Sequence, residues 1–244
     1  MPNPIRFFSA AAVLALVAGT VPAAAQTDTI RAGAPGHDSF ELPVGVDSTD
    51  AFMVRDGARM KMMTYVETIS ETPEGYLIVG ENVRPDGVRM TLDSVVVARA
   101  TLAPLQHSDV TPAGRMQVTY ADGRMSGASV DTAGRESPLD TAVVPGAFDY
   151  SMARLVINRL PLRAGYAGVL LTHDVKRGTV PIGFRVVAEE PVTVGGRTAD
   201  AWKVEMDYGT HTAERWIDRE TGADLRTRVV VGGREIVVEP SGTG

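Results

Sequence analysis

Cysteine is absent from all 244 residues. That excludes disulfides, thiolate nucleophiles and thiolate zinc sites, and leaves the fold to be held by its core alone. Aromatic residues are scarce, at 6%, with only two tryptophans. Positive charge is the minority sign: 24 Lys and Arg face 30 Asp and Glu, for a net charge of −6, and the basic residues form no run along the chain. Such a chain matches neither nucleic acid nor an anionic membrane surface as a partner. Beyond the N-terminus no apolar run reaches the about 20 residues that a membrane helix needs, so no integral membrane segment is expected in the mature chain. The Gly-x-Ser-x-Gly elbow of esterases, the His-x-x-x-His pair of helical zinc sites and a glycine loop opening a helix are all missing. No catalytic residue, metal ligand set or cofactor site is therefore assigned.

What is present begins with residues 1–25. Arg6 is the only charge there, Phe7 to Val17 is an apolar core, and Ala23-Ala24-Ala25 provides the small-x-small pattern cut by signal peptidase before Gln26. The segment reads as a cleaved secretory signal, too short to span a bilayer, and no cysteine follows it to carry a lipid. A periplasmic or secreted protein, not a lipoprotein, is expected.

Residues 26–57 are rich in Gly, Pro, Asp and Ser and read as an extended lead-in with at most a short strand. From residue 58 the hydrophobic period becomes two. Alternating runs at 60–69, 76–83, 88–102, 115–120 and 125–130 are separated by Pro73-Glu74-Gly75, Pro85-Asp86-Gly87, Pro112-Ala113-Gly114 and Ala121-Asp122-Gly123, which are hairpin signals. Such short connections leave no room for crossover helices and imply an antiparallel meander. One segment departs: Phe148, Met152, Leu155, Val156 and Leu160 share one helical face, with Tyr150, Arg154 and Asn158 opposite, until Pro161 stops the helix. Strands resume at 180–188 and 202–208, and the meander continues through 210–217, 225–231 and 234–239, with Gly232-Gly233 as a two-residue turn. The prediction is a mainly β fold in which residues 58–239 form one domain and 240–244 a flexible tail. A weak repeat runs through it: Arg99, Thr101, Leu105 and Val110 recur as Arg219, Thr221, Leu225 and Val230, an offset of 120.

Three histidines have an acid nearby, in His37-Asp38, His107-Ser108-Asp109 and His173-Asp174, and His211 follows a turn. Neighbours on a strand point to opposite faces, so an adjacent pair cannot serve one ion. All four read as exposed turn or strand histidines. Apolar side chains remain as candidates: Phe148, Met152 and Leu155 on the helix, and Trp202, Met206 and Trp216 on the C-terminal strands, either as core or as the lining of an apolar groove.

The stretch Trp216-Ile217-Asp218-Arg219-Glu220-Thr221-Gly222-x-x-Leu225-Arg226 resembles the W-x-D-x-x-T-G-x-x-L-R hairpin of periplasmic proteins with the fold of the outer-membrane lipoprotein carriers and of related envelope families. Gly196-Arg197 leading into Ala201-Trp202-Lys203-Val204, and Leu160-Pro161-Leu162 before a strand, are similar to their pattern too. The resemblance implies an incomplete barrel, a strongly curved antiparallel sheet wrapped around helix, in which carriers hold acyl chains. The leading expectation is thus an exported, non-enzymatic protein binding a lipid or lipoprotein, through its lipophilic part, in the concave face. A His/Asp-dependent hydrolase and a structural envelope protein that binds other proteins are the alternatives.

Overall fold

The computed structural model describes residues 28–34 and 41–242. The expected signal segment and the His37-Asp38 pair lie outside them. Sixteen strands form one open sheet. The first-half strands are β1 (Asp28–Ile30), β2 (Gly45–Arg55), β3 (Ala58–Glu71), β4 (Gly75–Val83), β5 (Arg89–Ala98), β6 (Pro104–Thr111), β7 (Gly114–Ala121), β8 (Arg124–Asp131) and β9 (Glu136–Ala142). After β10 (Phe148–Asp149) and α1 (Ala153–Asn158) come β11 (Ala167–Asp174), β12 (Gly178–Val194), β13 (Arg197–Asp207), β14 (Thr212–Asp218), β15 (Asp224–Val231) and β16 (Arg234–Pro240). Four turns are type I′ hairpins with positive φ at both positions: Asp122-Gly123 and Gly232-Gly233, which the sequence marks as turns, and also Asp56-Gly57 and Gly195-Gly196.

The spatial order is β11 to β16, then β2 to β9, all antiparallel, with β1 and β10 both added in parallel to the free side of β11. Strand β2 therefore joins the two runs, pairing with β16 on one side and β3 on the other. This corrects the reading of residues 26–57 as lead-in. The segment's polar residues hid a strand because β2 has no apolar alternation in its first half, and its position is fixed by neighbours on both edges.

The offset of 120 extends to the whole topology. Strands β3, β6 and β7 begin at Ala58, Pro104 and Gly114, and β12, β15 and β16 begin at Gly178, Asp224 and Arg234, 120 residues later in each case. The other three pairs, β2 with β11, β4 with β13 and β5 with β14, keep the same order with small shifts. Two six-strand runs of one design thus lie side by side in a single sheet.

The predicted helix over 148–160 is shorter than its periodicity suggested. Phe148 and Asp149 form β10, Tyr150 to Met152 a 3-10 turn capped by the Asp149 side chain, and only Ala153–Asn158 is α-helical. The sheet curves around this segment. Leu155, Val156 and Ile157 pack in one core with Ile69, Ile78 and Val95 from the first run and Leu170, Ile182, Phe184, Val204 and Ile217 from the second. Sequence places Arg154 and Asn158 on the face opposite the apolar stripe. They look onto the middle of the sheet, so both faces of the helix are covered. Among the described residues no helix is long and apolar enough to cross a membrane.

The two ends of the sheet meet through side chains and not through a backbone ladder. His107 on β6 bonds Asp149 on β10, and Tyr120 on β7 donates to the same carboxylate at 3.0 Å. Val175, in the turn after β11, packs with Met116, Val118 and Met125 of β7 and β8.

Candidate functional site

A cavity of about 370 Å3 lies between the polar side of the helical segment and the strands where the two runs join. Ser151 and Arg154 form its roof; Ala51, Met63, Tyr65 and Glu67 on β2 and β3, and Arg215, Asp224 and Val238 on β14 to β16, form its floor and walls, with Tyr208 beside them. Register explains the convergence: Ala51 opposes Met63 and Val238, Thr49 opposes Tyr65, and Asp47 opposes Glu67. Alternation then turns all of them to the concave side.

Charge in this interior is tightly matched. Arg154 donates to Glu67, and its Nη1 donates to Asp224 Oδ2 at 2.9 Å. Arg215, 2% exposed, donates to Asp224 and, at 2.6 Å, to Asn158 Oδ1. Asn158 Nδ2 closes the network on Asp224 at 3.0 Å. Burial opposes charge on Asp224, but Arg215 and Arg154 outweigh it and hold the carboxyl down at about 2. Burial, reinforced by Glu67, pushes the Tyr65 hydroxyl well above its ordinary value, so it is a neutral donor to Glu67 at 3.3 Å. Arg215 keeps one nitrogen, Nη1, buried and without a hydrogen-bond partner. A fully buried guanidinium N–H in that state is costly.

A second polar cluster sits where the sheet ends meet. Nδ1 of His107 lies 2.7 Å from Asp149 Oδ2, and Nε2 lies 2.8 Å from Asp93 Oδ1. Burial disfavours the imidazolium, but the hydrogen bond to Asp149 and the negative charges of Asp149 and Asp93 overcome it and raise its pKa to about 10. Asp149 is held below the usual carboxylate range: its burial is outweighed by His107 and by bonds from the Ser151 amide and hydroxyl at 3.0 and 2.8 Å. His173 is fully buried with its ring edge-on to Tyr120, centroids 6.1 Å apart, and neither ring nitrogen is bonded. Burial lowers its pKa, so it is neutral.

These findings correct the reading of His107 and His173 as exposed histidines. They also bring two histidines together with carboxylates, the arrangement that would have favoured a hydrolase. The chemistry points elsewhere. As an imidazolium bonded to Asp149 and ion-paired with Asp93, His107 has no base nitrogen to take a proton from a nucleophile, and the hydroxyls of Tyr120 and Ser151 beside it donate to Asp149. The cluster is a tether of one cation between two anions. His211, by contrast, stacks on Tyr208 at 4.9 Å near the surface.

The apolar candidates fall in three places. Phe148, Met152, Leu155 and Met206 are at most 4% exposed and belong to the main core. Trp202 packs against that core from its margin, with the Arg219 guanidinium over its ring. Trp216 is in a separate cluster with Val192, Val194 and Ala201, and its Nε1 donates to Glu190. None of the six lines the cavity between helix and mid-sheet. The lining residues that sequence reading passed over had a signal: Glu67 stands between Tyr65 and Ile69, and Arg215 between Ala213 and Ile217, each a charge in the apolar phase of an alternating strand.

The carrier-like hairpin has a structural explanation. Asp218 Oδ1 accepts from the amides of Glu220 and Thr221, and Arg159 donates to the Thr221 carbonyl. Gly222 has φ +70°, and a Cβ there would stand 2.8 Å from the Asn158 carbonyl oxygen. The motif therefore fastens the end of α1 to the sheet.

No curated protein matches this sequence. Among solved structures, the chain is similar to the hypothetical lipoprotein YmcC from Escherichia coli (K12), at 10% identity and a TM-score of 0.33, over 81% of this chain and 86% of that one. The model of the family described as Protein of unknown function (DUF3108) matches residues 52–238, from the joining strand β2 into β16, and the chain belongs to that family.

Proposed function

We propose that this is an exported, non-enzymatic protein that holds a lipophilic ligand, free or as the acyl part of a partner, in the concave-face cavity between α1 and strands β14–β16 and β2–β3. The observation that carries the reading is the cavity itself. Its volume of about 370 Å3 falls within the roughly 300–1,000 Å3 of small-molecule sites. Ala51, Met63, Val238 and the two tyrosine rings offer apolar contact. Export rests on the character of residues 1–25, and the likeness of residues 216–226 to the lipoprotein carriers points the same way. The ligand site is assigned to these residues in place of the six core and margin side chains.

Displacement of an apolar naphthylamine fluorophore by laurate tests the proposal. Wild-type protein is expected to bind both, and Ala51→Phe, which fills the cavity, to weaken binding at least tenfold while leaving thermal unfolding within a few degrees. A protein that binds neither compound, or a filled variant that binds as well as wild type, refutes it. Trp216 emission should not respond in either case, since its ring lies on the opposite face of β14 from Arg215.

A further inference from the structure

Hairpins of a meander alternate between the two ends of a sheet, and here the ends differ in character. Among the described residues seven hairpins turn at one end, and four neighbours in that row are β15–β16, β2–β3, β4–β5 and β6–β7. Six of the ten large apolar residues that are strongly exposed lie in or beside their tips: Val230, Val231, Met60, Val88, Met90 and Val110, between 37% and 57% exposed. The same tips carry Arg55, Arg59, Lys61, Arg84, Arg89, Arg115 and Arg234 against Asp56, Asp86 and Glu235. At the opposite end the β3–β4, β5–β6, β7–β8, β12–β13 and β14–β15 hairpins carry Glu71, Glu74, Asp122, Asp218 and Glu220 against Arg99, Arg124, Arg197 and Arg219. The chain is acidic overall, yet the fold collects basic residues and exposed Val and Met side chains on one rim. In sequence they are spread across almost 180 positions, which is why no basic patch was visible there.

Part of this charge is used internally. Arg59 pairs with Glu239, Lys61 with Asp50 and Arg89 with Glu81. Arg55 and Arg84 pair only with the exposed acids of their own turns, and Arg115 and Arg234 form no ion pair with any described residue. Folding explains neither the exposed apolar tips nor these free guanidinium groups. Interleaved apolar and cationic side chains along one edge suit a surface that is apolar a few ångströms down and negatively charged on top.

We propose that this rim docks the protein on an anionic lipid bilayer, with Met60, Val88 and Val231 entering the headgroup layer and Arg115 and Arg234 meeting lipid phosphates. The docking is independent of any ligand in the concave cavity.

Sedimentation with vesicles of phosphatidylcholine alone, or with one third phosphatidylglycerol, tests this on the full mature chain. Binding is expected only to the anionic vesicles and should weaken as salt is raised. Each basic residue near such a surface is worth a factor of about five, so Arg115→Gln with Arg234→Gln should lower partition about 25-fold; Val88→Ser with Met60→Ser should lower it further. The matched control Arg163→Gln with Arg197→Gln, two exposed cations at the other end, should leave partition within twofold. All these positions are exposed, and unchanged melting verifies the fold. No binding to anionic vesicles, or equal losses in rim and control variants, overturns the proposal. A dimer in sedimentation velocity that the rim variants dissolve, without vesicle binding, overturns it in favour of a second copy of the chain. Loss of fluorophore binding by Ala51→Phe leaves this result untouched, so the two proposals fail separately.

Discussion

Replacing His107 with Gln is the most revealing perturbation, because the imidazolium is the cation between Asp93 and Asp149 where the sheet ends meet. The Asp149 side chain is 1% exposed, so removing its countercharge leaves a buried carboxylate unpaired. Losses of that kind run to about 3–5 kcal/mol, and the effect should be near this size at pH 6. The pH dependence is more diagnostic. The folded-state pKa of His107 is raised to about 10 from an ordinary 6.5. Its stabilisation is fully present below pH 6.5 and is lost as pH rises towards 10, at up to about 1.4 kcal/mol per unit. The lowered Asp149 acts in the other direction: its contribution is present above the ordinary carboxylate value and lost as pH falls below it. Urea unfolding of wild type and His107→Gln at pH 5, 6, 7, 8 and 9 should therefore give a gap that is wide at pH 5 and 6 and narrows by about 3 kcal/mol at pH 9. A gap that stays constant across the series would show that His107 is not held as a cation by the two carboxylates, and the account of the closure would fall with it.

Asp224→Asn should destabilise by about 3–5 kcal/mol, because it leaves Arg154 and Arg215 without their shared anion; a loss under 1 kcal/mol in chemical denaturation would contradict the network. Wild-type Asp224, held at about 2, should stay ionised until acid unfolding, its contribution present above pH 3.8 and declining only below it. Met152→Ala should cost about 2–5 kcal/mol with fluorophore binding unchanged, since Met152 is 1% exposed in the core and outside the cavity lining. A small cost accompanied by altered probe binding would move the cavity to the apolar face of the helix.

Much of this architecture could be read from alternation and turn chemistry. The strands from Met60 to Val130 and from Val180 to Glu239 announce themselves because one face is dry, and Asp-Gly and Gly-Gly turns mark their ends. Strand β2 was missed, since Asp47, Ser48, Thr49 and Asp50 have no apolar phase; their order comes from pairing with β3 and β16, which local sequence does not encode. The helix was overextended for a related reason: Phe148 and Leu160 fit a 3.6 period, but Phe148 pairs with Thr172 on β11 and Pro161 sits beyond a short final turn. The candidate site was the least legible part. Arg154, Glu67, Arg215 and Asp224 are separated by up to 157 residues and are matched only once the sheet has curved, so each alone resembled an ordinary surface charge. His107 and His173 likewise read as exposed in the sequence, because what buries them, Asp149 and Tyr120, arrives from distant elements.

The place of β2 has a consequence for how the chain can be made. Its partner β16 is completed only at Pro240, so the strand at the centre of the finished sheet keeps one open edge until β16 has been made. Neither six-strand run can reach its final state early, and the last seam to close joins segments more than 180 residues apart. Such a topology folds slowly and leaves an unpaired edge available to other chains in the meantime. Removing even the last strand would not trim the molecule at its border. It would open the sheet through the middle.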